Sequence, residues 1–377
     1  MSPLVSPTSG RPLAPDGPFT LTDGTERWPV LDGIAYLRVG REALVGDALA
    51  RIDAGDADGA LCLLLADQDD WWDGPPPHAD DLARLVRERE ALSLRSAMDL
   101  LGYGRVGHYF AHRWSDPTFM AGLALVDAHW REPESALELA CGIGHYLREL
   151  LAAGVAVCGG DVVFSKLWLA RHWVAGAAEL VCFDARAPWP VAGRRFDLVL
   201  CQDAFYFLEP KAEILERLRA IAAGPIALAH IHNRDAANLS AAAAVSADDI
   251  ARMFPDALVY DDAALTRAAA EGTMPAAQPP GALRQVEAFS VLDRPSGPVR
   301  SATGPLNAPK ADTAYRRNPL YRATPTGAAV AWPSERYGAE YGPLATYPGH
   351  TDLPEYPASW TAEQVRRREV VALPERW

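Results

Sequence analysis

Leu137-Glu138-Leu139-Ala140-Cys141-Gly142-Ile143-Gly144-His145 runs from an apolar strand through a turn of small residues into a helical stretch. Only small residues let backbone N–H groups come close to a bound molecule, and a helix N-terminus favours an anionic group. Strand–glycine turn–helix units serve many nucleotides, so the details decide. A dinucleotide fingerprint places Gly or Ala three residues after Gly144, where Leu147 stands instead. A P-loop ends in Gly-Lys-Ser/Thr, which does not follow here. The distinguishing residue is the acid inside the strand, Glu138.

Outward from this stretch, apolar runs alternate with helical patterns. The runs are Ala136–Ala140, Val155–Gly159, Glu179–Phe183, Phe196–Cys201 and Ile226–Ile231, with a late one at Val286–Leu292; His145–Ala152, Val163–Val174 and Glu213–Ala222 lie between them. Continuous apolar strands separated by helices indicate an α/β domain, a doubly wound parallel sheet covered on both faces. Ligands bind such sheets at the carboxyl ends of the strands. Asp161 ends the second run, where a carboxylate can accept from both hydroxyls of a ribose. Asp184 ends the third, where it can accept from an adenine amino group while the N–H of Ala185 donates to the ring. The fourth run leads into Gln202-Asp203-Ala204-Phe205-Tyr206-Phe207. All four landmarks converge on one crevice.

Leu-Glu-Leu-Ala-Cys-Gly-Ile-Gly at 137–144, Gly-Gly-Asp at 159–161, Phe-Asp at 183–184 and Phe-Asp-Leu-Val-Leu-Cys-Gln-Asp at 196–203 stand in order over about a quarter of the chain. From Glu138 to Asn233 the chain resembles the core of a class I, Rossmann-like methyltransferase dependent on S-adenosylmethionine. The resemblance implies a seven-stranded, mostly parallel sheet and S-adenosylmethionine as cofactor, with S-adenosylhomocysteine as product and no metal. By position, Glu138 would orient the methionine amino end, and the backbone of Gly142–Gly144, with Ala140 in place of the first loop glycine, would lie against the cofactor. Asp161 would hold the ribose, Asp184 and Ala185 would read the adenine, and Gln202 would stand near the methionine part. The stretch from Gly107 to Trp114 resembles the upstream helix that closes over the cofactor, with Tyr109 and Arg113 as candidates for the methionine carboxylate. Many members carry His-Leu where this chain has Phe207-Leu208, so the role of that histidine does not carry over.

The flanks differ from this core. The first 81 residues hold five basic residues against fifteen acidic ones. Leu4-Val5-Ser6-Pro7-Thr8-Ser9-Gly10, then Trp28-Pro29-Val30-Leu31-Asp32-Gly33-Ile34, resembles the small zinc-ribbon-derived domain of methyltransferase activator subunits. Ser6 and Ser9 stand at the thiolate positions, and serine hydroxyls are poor zinc ligands. The expected organisation is a degenerate, metal-free α+β module over 1–66, with strand-like pieces at Phe19–Leu21 and Ile34–Arg38 and helices at Glu42–Ile52 and Gly59–Ala66. An acidic, Pro-rich linker over 67–81 follows, then the methyltransferase domain over 82–293. That domain is expected to open with one helix from Leu82 to Leu101, and Ser115-Asp116-Pro117 caps and starts another. A loop-rich extension rich in Pro, Tyr and Trp occupies 294–377. It suits either a lid over the crevice or an arm that wraps the domain or a twin subunit, which would make a homodimer.

Candidate catalytic groups belong at strand ends. His230 and His232 stand two apart on the fifth strand, suited to a general base, a substrate hydrogen-bond pair, metal ligands or structural bonding; Asp203 and Tyr206 follow the fourth strand. His145, which opens a helix beside the glycine turn, reads as structural or as part of a cofactor lid rather than as catalytic. Arg366-Arg367-Arg368 reads as a solvated helix face, and Arg316, Arg317 and Arg322 as partners for an anionic substrate or as plain surface. Hydrophobic residues make up 49% of the 377 and the net charge is −13, which argues against nucleic acid as a partner. No apolar run approaches the ~18 residues of a membrane helix. The N-terminus lacks the pattern of a signal peptide, and five scattered cysteines without a C-x-x-C pair suit buried free thiols, so a cytoplasmic location is expected. The expected function is methyl transfer to O or N of a small-molecule acceptor. RNA or protein as acceptor, and a catalytically inactive scaffold, are the alternatives.

Overall fold

Strands that are apolar along their whole length need cover on both faces, and the chain supplies it. The computed structural model describes residues 3–239 and 243–377. One sheet contains β1 (Ala14–Pro15), β2 (Thr20–Thr22), β3 (Arg27–Leu31), β4 (Ile34–Tyr36), β5 (Ser135–Leu139), β6 (Ala156–Asp161), β7 (Glu179–Cys182), β8 (Leu198–Gln202), β9 (Ile226–His232), β10 (Leu258–Asp261) and β11 (Ala288–Asp293). Their spatial order is β1-β2-β3-β4-β7-β6-β5-β8-β9-β11-β10. From β4 to β9 every pairing is parallel, whereas β11 runs antiparallel to both β9 and β10. The seven strands β5 to β11 therefore form the mixed, mostly parallel Rossmann-like sheet that the resemblance implies; six of them match the apolar runs, and β10 was not among those runs. The direction of winding reverses between β5 and β8, which opens a crevice at their carboxyl ends.

Helices cover both faces. Pro117–Ala128 is buried at every residue and packs on β9 and on the helix Asp262–Glu271. His145–Ala152 and Phe164–Leu169 pack against β6. The helix expected from Leu82 to Leu101 is two, Ala79–Glu88 and Leu94–Leu100. Ser93 causes the break: its hydroxyl accepts from the Ser96 N–H at 3.1 Å and starts a new helix, so local capping overrides the apolar periodicity. Another helix does open at Pro117, but Asp116 does not cap it. Its carboxylate instead accepts from the Tyr337 hydroxyl of the C-terminal extension.

The N-terminal strands extend the main sheet, because β4 pairs in parallel with β7 through Ile34 and Leu180. Helices Glu42–Asp53 and Ala57–Ala66 follow as expected, the second capped by Asp56, which accepts from the Gly59 N–H. Met1 and Ser2, the first residues of the expected module, lie outside the described residues. The C-terminal extension forms β12 (Tyr315–Arg317), β13 (Tyr321–Thr324), β14 (Gly327–Val330), β15 (His350–Thr351) and β16 (Val370–Ala372), which make two small sheets, β12–β16 and β13–β14–β15. Val371 and Leu373 join the main core. The run Arg366-Arg367-Arg368 is no solvated face. The Arg368 guanidinium lies 5.8 Å above the Phe119 ring, and Arg367 Nε donates to the Thr346 carbonyl. All five cysteines are free thiols, and four are buried. Among the described residues no helix is long and apolar enough to cross a membrane.

Candidate functional site

β5 delivers the glycine turn to the crevice. Ala140, Gly142 and Gly144 all take left-handed backbone angles, φ 55°, 55° and 84°. At Gly144 a Cβ would come within 3.2 Å of the Cβ atoms of both Ala170 and Ala175, so only glycine fits there. Inside β5, Glu138 is 2% exposed, and its Oε2 has no hydrogen-bond partner within the protein. Burial pushes this carboxyl well above its usual range, although the charge of Arg113 opposes the shift.

Asp161, at the end of β6, fastens the turn. Its Oδ2 accepts from the Gly142 N–H and its Oδ1 from the Val163 N–H, both at 2.9 Å, with Lys166 Nζ 3.8 Å away. Asp184 lies two residues past β7 and accepts from the backbone N–H and the guanidinium of Arg186. The Ala185 carbonyl accepts from Arg217 and from the Trp189 indole. Gln202 is turned to another use. Its Oε1 accepts from the Ala229 N–H at 3.0 Å and its Nε2 donates to the Ala227 carbonyl, so the amide braces β9.

A second group of polar residues sits at the ends of β8 and β9. Asp203 and His230 both hold left-handed angles, φ 52° and 53°, a conformation costly for such residues and concentrated at functional sites. The Tyr206 hydroxyl donates to Asp203 Oδ1 at 2.9 Å and the Tyr109 hydroxyl to Oδ2 at 2.8 Å, while Arg113 Nη2 lies 3.3 Å from the same carboxylate. Burial disfavours the Asp203 charge, but Arg113, His230 and His232 outweigh it and hold the carboxyl below its usual range. His230 Nδ1 meets Asp262 at 2.9 Å, and His232 Nδ1 meets Glu287 at 2.7 Å. Burial opposes a proton on His230, yet Asp262 and Asp203 raise its pKa to about 9. Asp262 and Glu287 escaped the sequence analysis. Glu287 faces His232 only because the following residue, Ala288, pairs with His232 across antiparallel strands. Tyr109 and Arg113, expected at a cofactor carboxylate, are thus found in the Asp203 group. His145 is structural: its Nε2 bonds the Phe110 carbonyl, and burial lowers its pKa to about 3.

Two distant segments cover the crevice. Asp67 anchors the first by accepting from Tyr36 and Arg38; beyond it, Trp71 packs edge-on against Phe207 at 5.2 Å. From the C-terminal extension, Tyr341 stacks 6.5 Å from Tyr109 and meets the Tyr337 ring at a tilt, 4.6 Å away. A cavity of about 380 Å³ lined by Trp130, Asp197 and Pro225 lies at the amino ends of β8 and β9, away from these groups.

Asp203, His230 and His232 each offer one ligand atom, and the three atoms lie within 4.8 Å of one another. Both histidines have the carboxylate-bound Nδ1 common among metal-ligating histidines. The Arg113 guanidinium 3.3 Å from Asp203, however, already supplies the positive charge that a cation would bring. The donor set therefore suits proton sharing better than metal binding.

Residues 136–224 match the methyltransferase-domain family. No curated protein matches the chain in sequence. Among solved structures, phosphoethanolamine N-methyltransferase 2 of Haemonchus contortus, in complex with S-adenosyl-L-methionine, is similar at 18% identity and a TM-score of 0.34, over 45% of this chain and 46% of that one. CalS10, an amino pentose methyltransferase from Micromonospora echinaspora, is similar at 25% identity and a TM-score of 0.28, over 34% and 55%. The CcbJ methyltransferase of Streptomyces caelestis gives 19% and 0.28, over 33% and 56%. The similarity spans about half the length of each of these structures.

Proposed function

We propose that this chain is a methyltransferase that uses S-adenosylmethionine to methylate an oxygen or nitrogen of a small-molecule acceptor. The observation that carries the proposal is the unpartnered, buried Oε2 of Glu138 in the strand that ends in the glycine turn. It suits the protonated amine of the cofactor's methionine end, and burial makes a carboxylate costly unless such a partner arrives. The other residues fit the same group. At Gly142 and Gly144 a side chain would crowd Phe110, Ala170 and Ala175, and Asp161 keeps lone pairs for ribose hydroxyls beside its two backbone bonds. Asp184 and Ala185 stand where an adenine would be read. When bound, the cofactor supplies a methyl group on a positively charged sulfur, open to in-line displacement.

The protein's own part in the reaction lies with the Asp203 group. Glu287 holds Nδ1 of His232, which leaves Nε2 to take a proton from an acceptor O–H or N–H. His230, charged near neutral pH, and Tyr206 stand beside it to orient the acceptor. Tyr109, Tyr341, Phe207 and Trp71 surround this end with aromatic rings, which favours a small acceptor over a polymer. On this view the extension over 294–377 is a lid on its own chain rather than a homodimer arm. The module over 1–66 is a metal-free relative of the zinc ribbon of activator subunits: Ser6 Oγ accepts from the N–H groups of Thr8 and Ser9 within the turn. The 67–81 segment joins it to the catalytic domain over 82–293, and the free cysteines fit a cytoplasmic enzyme.

Calorimetric titration with S-adenosylmethionine and with S-adenosylhomocysteine tests the proposal. We expect micromolar binding of both, with S-adenosylmethionine weakened about tenfold or more in Glu138→Gln, the size of a lost charged hydrogen bond. Folded wild-type protein that binds neither compound would overturn it.

A further inference from the structure

A cavity of about 350 Å³ lies apart from the crevice, between the helix Leu94–Leu100 and the small sheets of the C-terminal extension. Four arginines line it: Arg95 from the helix, Arg316 and Arg317 from β12, and Arg322 from β13. None of the crevice residues does. Among the lining side chains Glu355 is the one acid, and no guanidinium of the four is within ion-pair distance of a carboxylate among the described residues. Their observed partners are neutral. Arg95 lies 5.0 Å over the Trp377 ring and Arg316 5.4 Å over Tyr356, while Arg317 and Arg322 donate to the carbonyls of Leu353 and Pro319.

That arrangement is unusual in a chain of net charge −13, in which most other arginines meet an acid. Guanidinium groups repel one another, and gathering four around one space is unfavourable unless an anion joins them. The rings and carbonyls hold the side chains in place while using few of the five donors on each guanidinium. The same field reaches His112, whose pKa falls to about 4 through burial first, with Arg95 and Arg322 adding to it. The segment Arg316 to Arg322 was open in the sequence between an anion partner and plain surface. Convergence with Arg95, from a helix more than 200 residues earlier, is what decides between them.

We propose that this cavity is a binding site for the phosphate group of a small molecule, distinct from the methyl-transfer crevice. Arg316 and Arg322 reach the anion from the two small sheets, and Arg95 closes the opposite wall. A volume of this size holds a phosphate and a small attached body.

The test is calorimetric titration of the full chain at about 150 mM salt, where exposed nonspecific charge is screened. Inorganic phosphate, pyrophosphate and glucose 6-phosphate are the three probes, with neutral glucose as control. We expect at least one phosphate probe to bind with Kd below about 1 mM. Tighter binding of glucose 6-phosphate than of inorganic phosphate would assign the site to a phosphoester; the reverse order would assign it to free phosphate. In the Arg316→Ala/Arg322→Ala double variant that affinity should fall at least about tenfold. Binding of S-adenosylhomocysteine should stay unchanged in the same variant, which reports its fold and keeps the outcome separate from that of the crevice. Absence of binding by all three probes, or equal binding by the double variant, would overturn the proposal.

Discussion

Two tyrosine hydroxyls, one guanidinium and two imidazoles surround the single carboxylate of Asp203, and each of them changes what the others can do. Within that group His232 has the geometry of a base, with Glu287 fixing its tautomer, whereas His230 is charged by Asp262. Replacing His232 by Gln is expected to lower kcat about a hundredfold or more with little change in S-adenosylmethionine affinity. A variant with unchanged kcat would move the proton-accepting role elsewhere. His230 also makes stability depend on pH. Its pKa rises from about 6.5 in an unfolded chain to about 9, so its contribution is complete below pH 6.5 and disappears as pH rises through 9. Thermal unfolding should show Tm falling across that window, and Asp262→Asn should flatten the fall. Asp203 acts in the opposite direction. Its depressed pKa gives a contribution present above about pH 4 and lost as acid is added.

At the scale of elements, the crevice depends on how closely β5, β6 and the helix after the glycine turn approach one another. Gly160 in β6 shows the limit: a Cβ there would fall 2.9 Å from Cζ of the buried Phe183 ring and closer still to Cε1. Gly160→Ala should therefore destabilise the protein by roughly 1–3 kcal/mol, visible as a lower Tm, and displace the neighbouring Asp161 enough to weaken cofactor binding. Six strands of the sheet and the glycine turn were legible in the sequence because both follow from local pattern, apolar runs bounded by small or acidic residues, whereas β10 was missed and the strand order was not given by it. The break at Ser93 and the idle cap at Asp116 were not. At Ser93 a local cap on the Ser96 N–H outweighed the apolar periodicity, and at Asp116 the winning partner, Tyr337, was set by packing.

Across the whole molecule, two segments far apart in sequence flank the crevice. Asp67 to Trp72 lies between β4 and β5, and Tyr337 and Tyr341 follow the last strand of the main sheet. Tyr341→Ala is expected to leave the fold and cofactor affinity intact, raise KM for the acceptor several-fold, and speed hydrogen exchange at residues 203–207. No change in either readout would make the extension a wrap with no part in the site. The sequence alone determined the doubly wound sheet and the standing of the glycine turn and the acids at its strand ends, because strand periodicity and motif spacing are properties of neighbours along the chain. Only the tertiary structure decided which groups work together. Glu287 with His232, Asp262 with His230 and Arg113 with Asp203 each join residues far apart in sequence. Such pairs depend on strand register and on how helices pack, and neither is written in any local stretch.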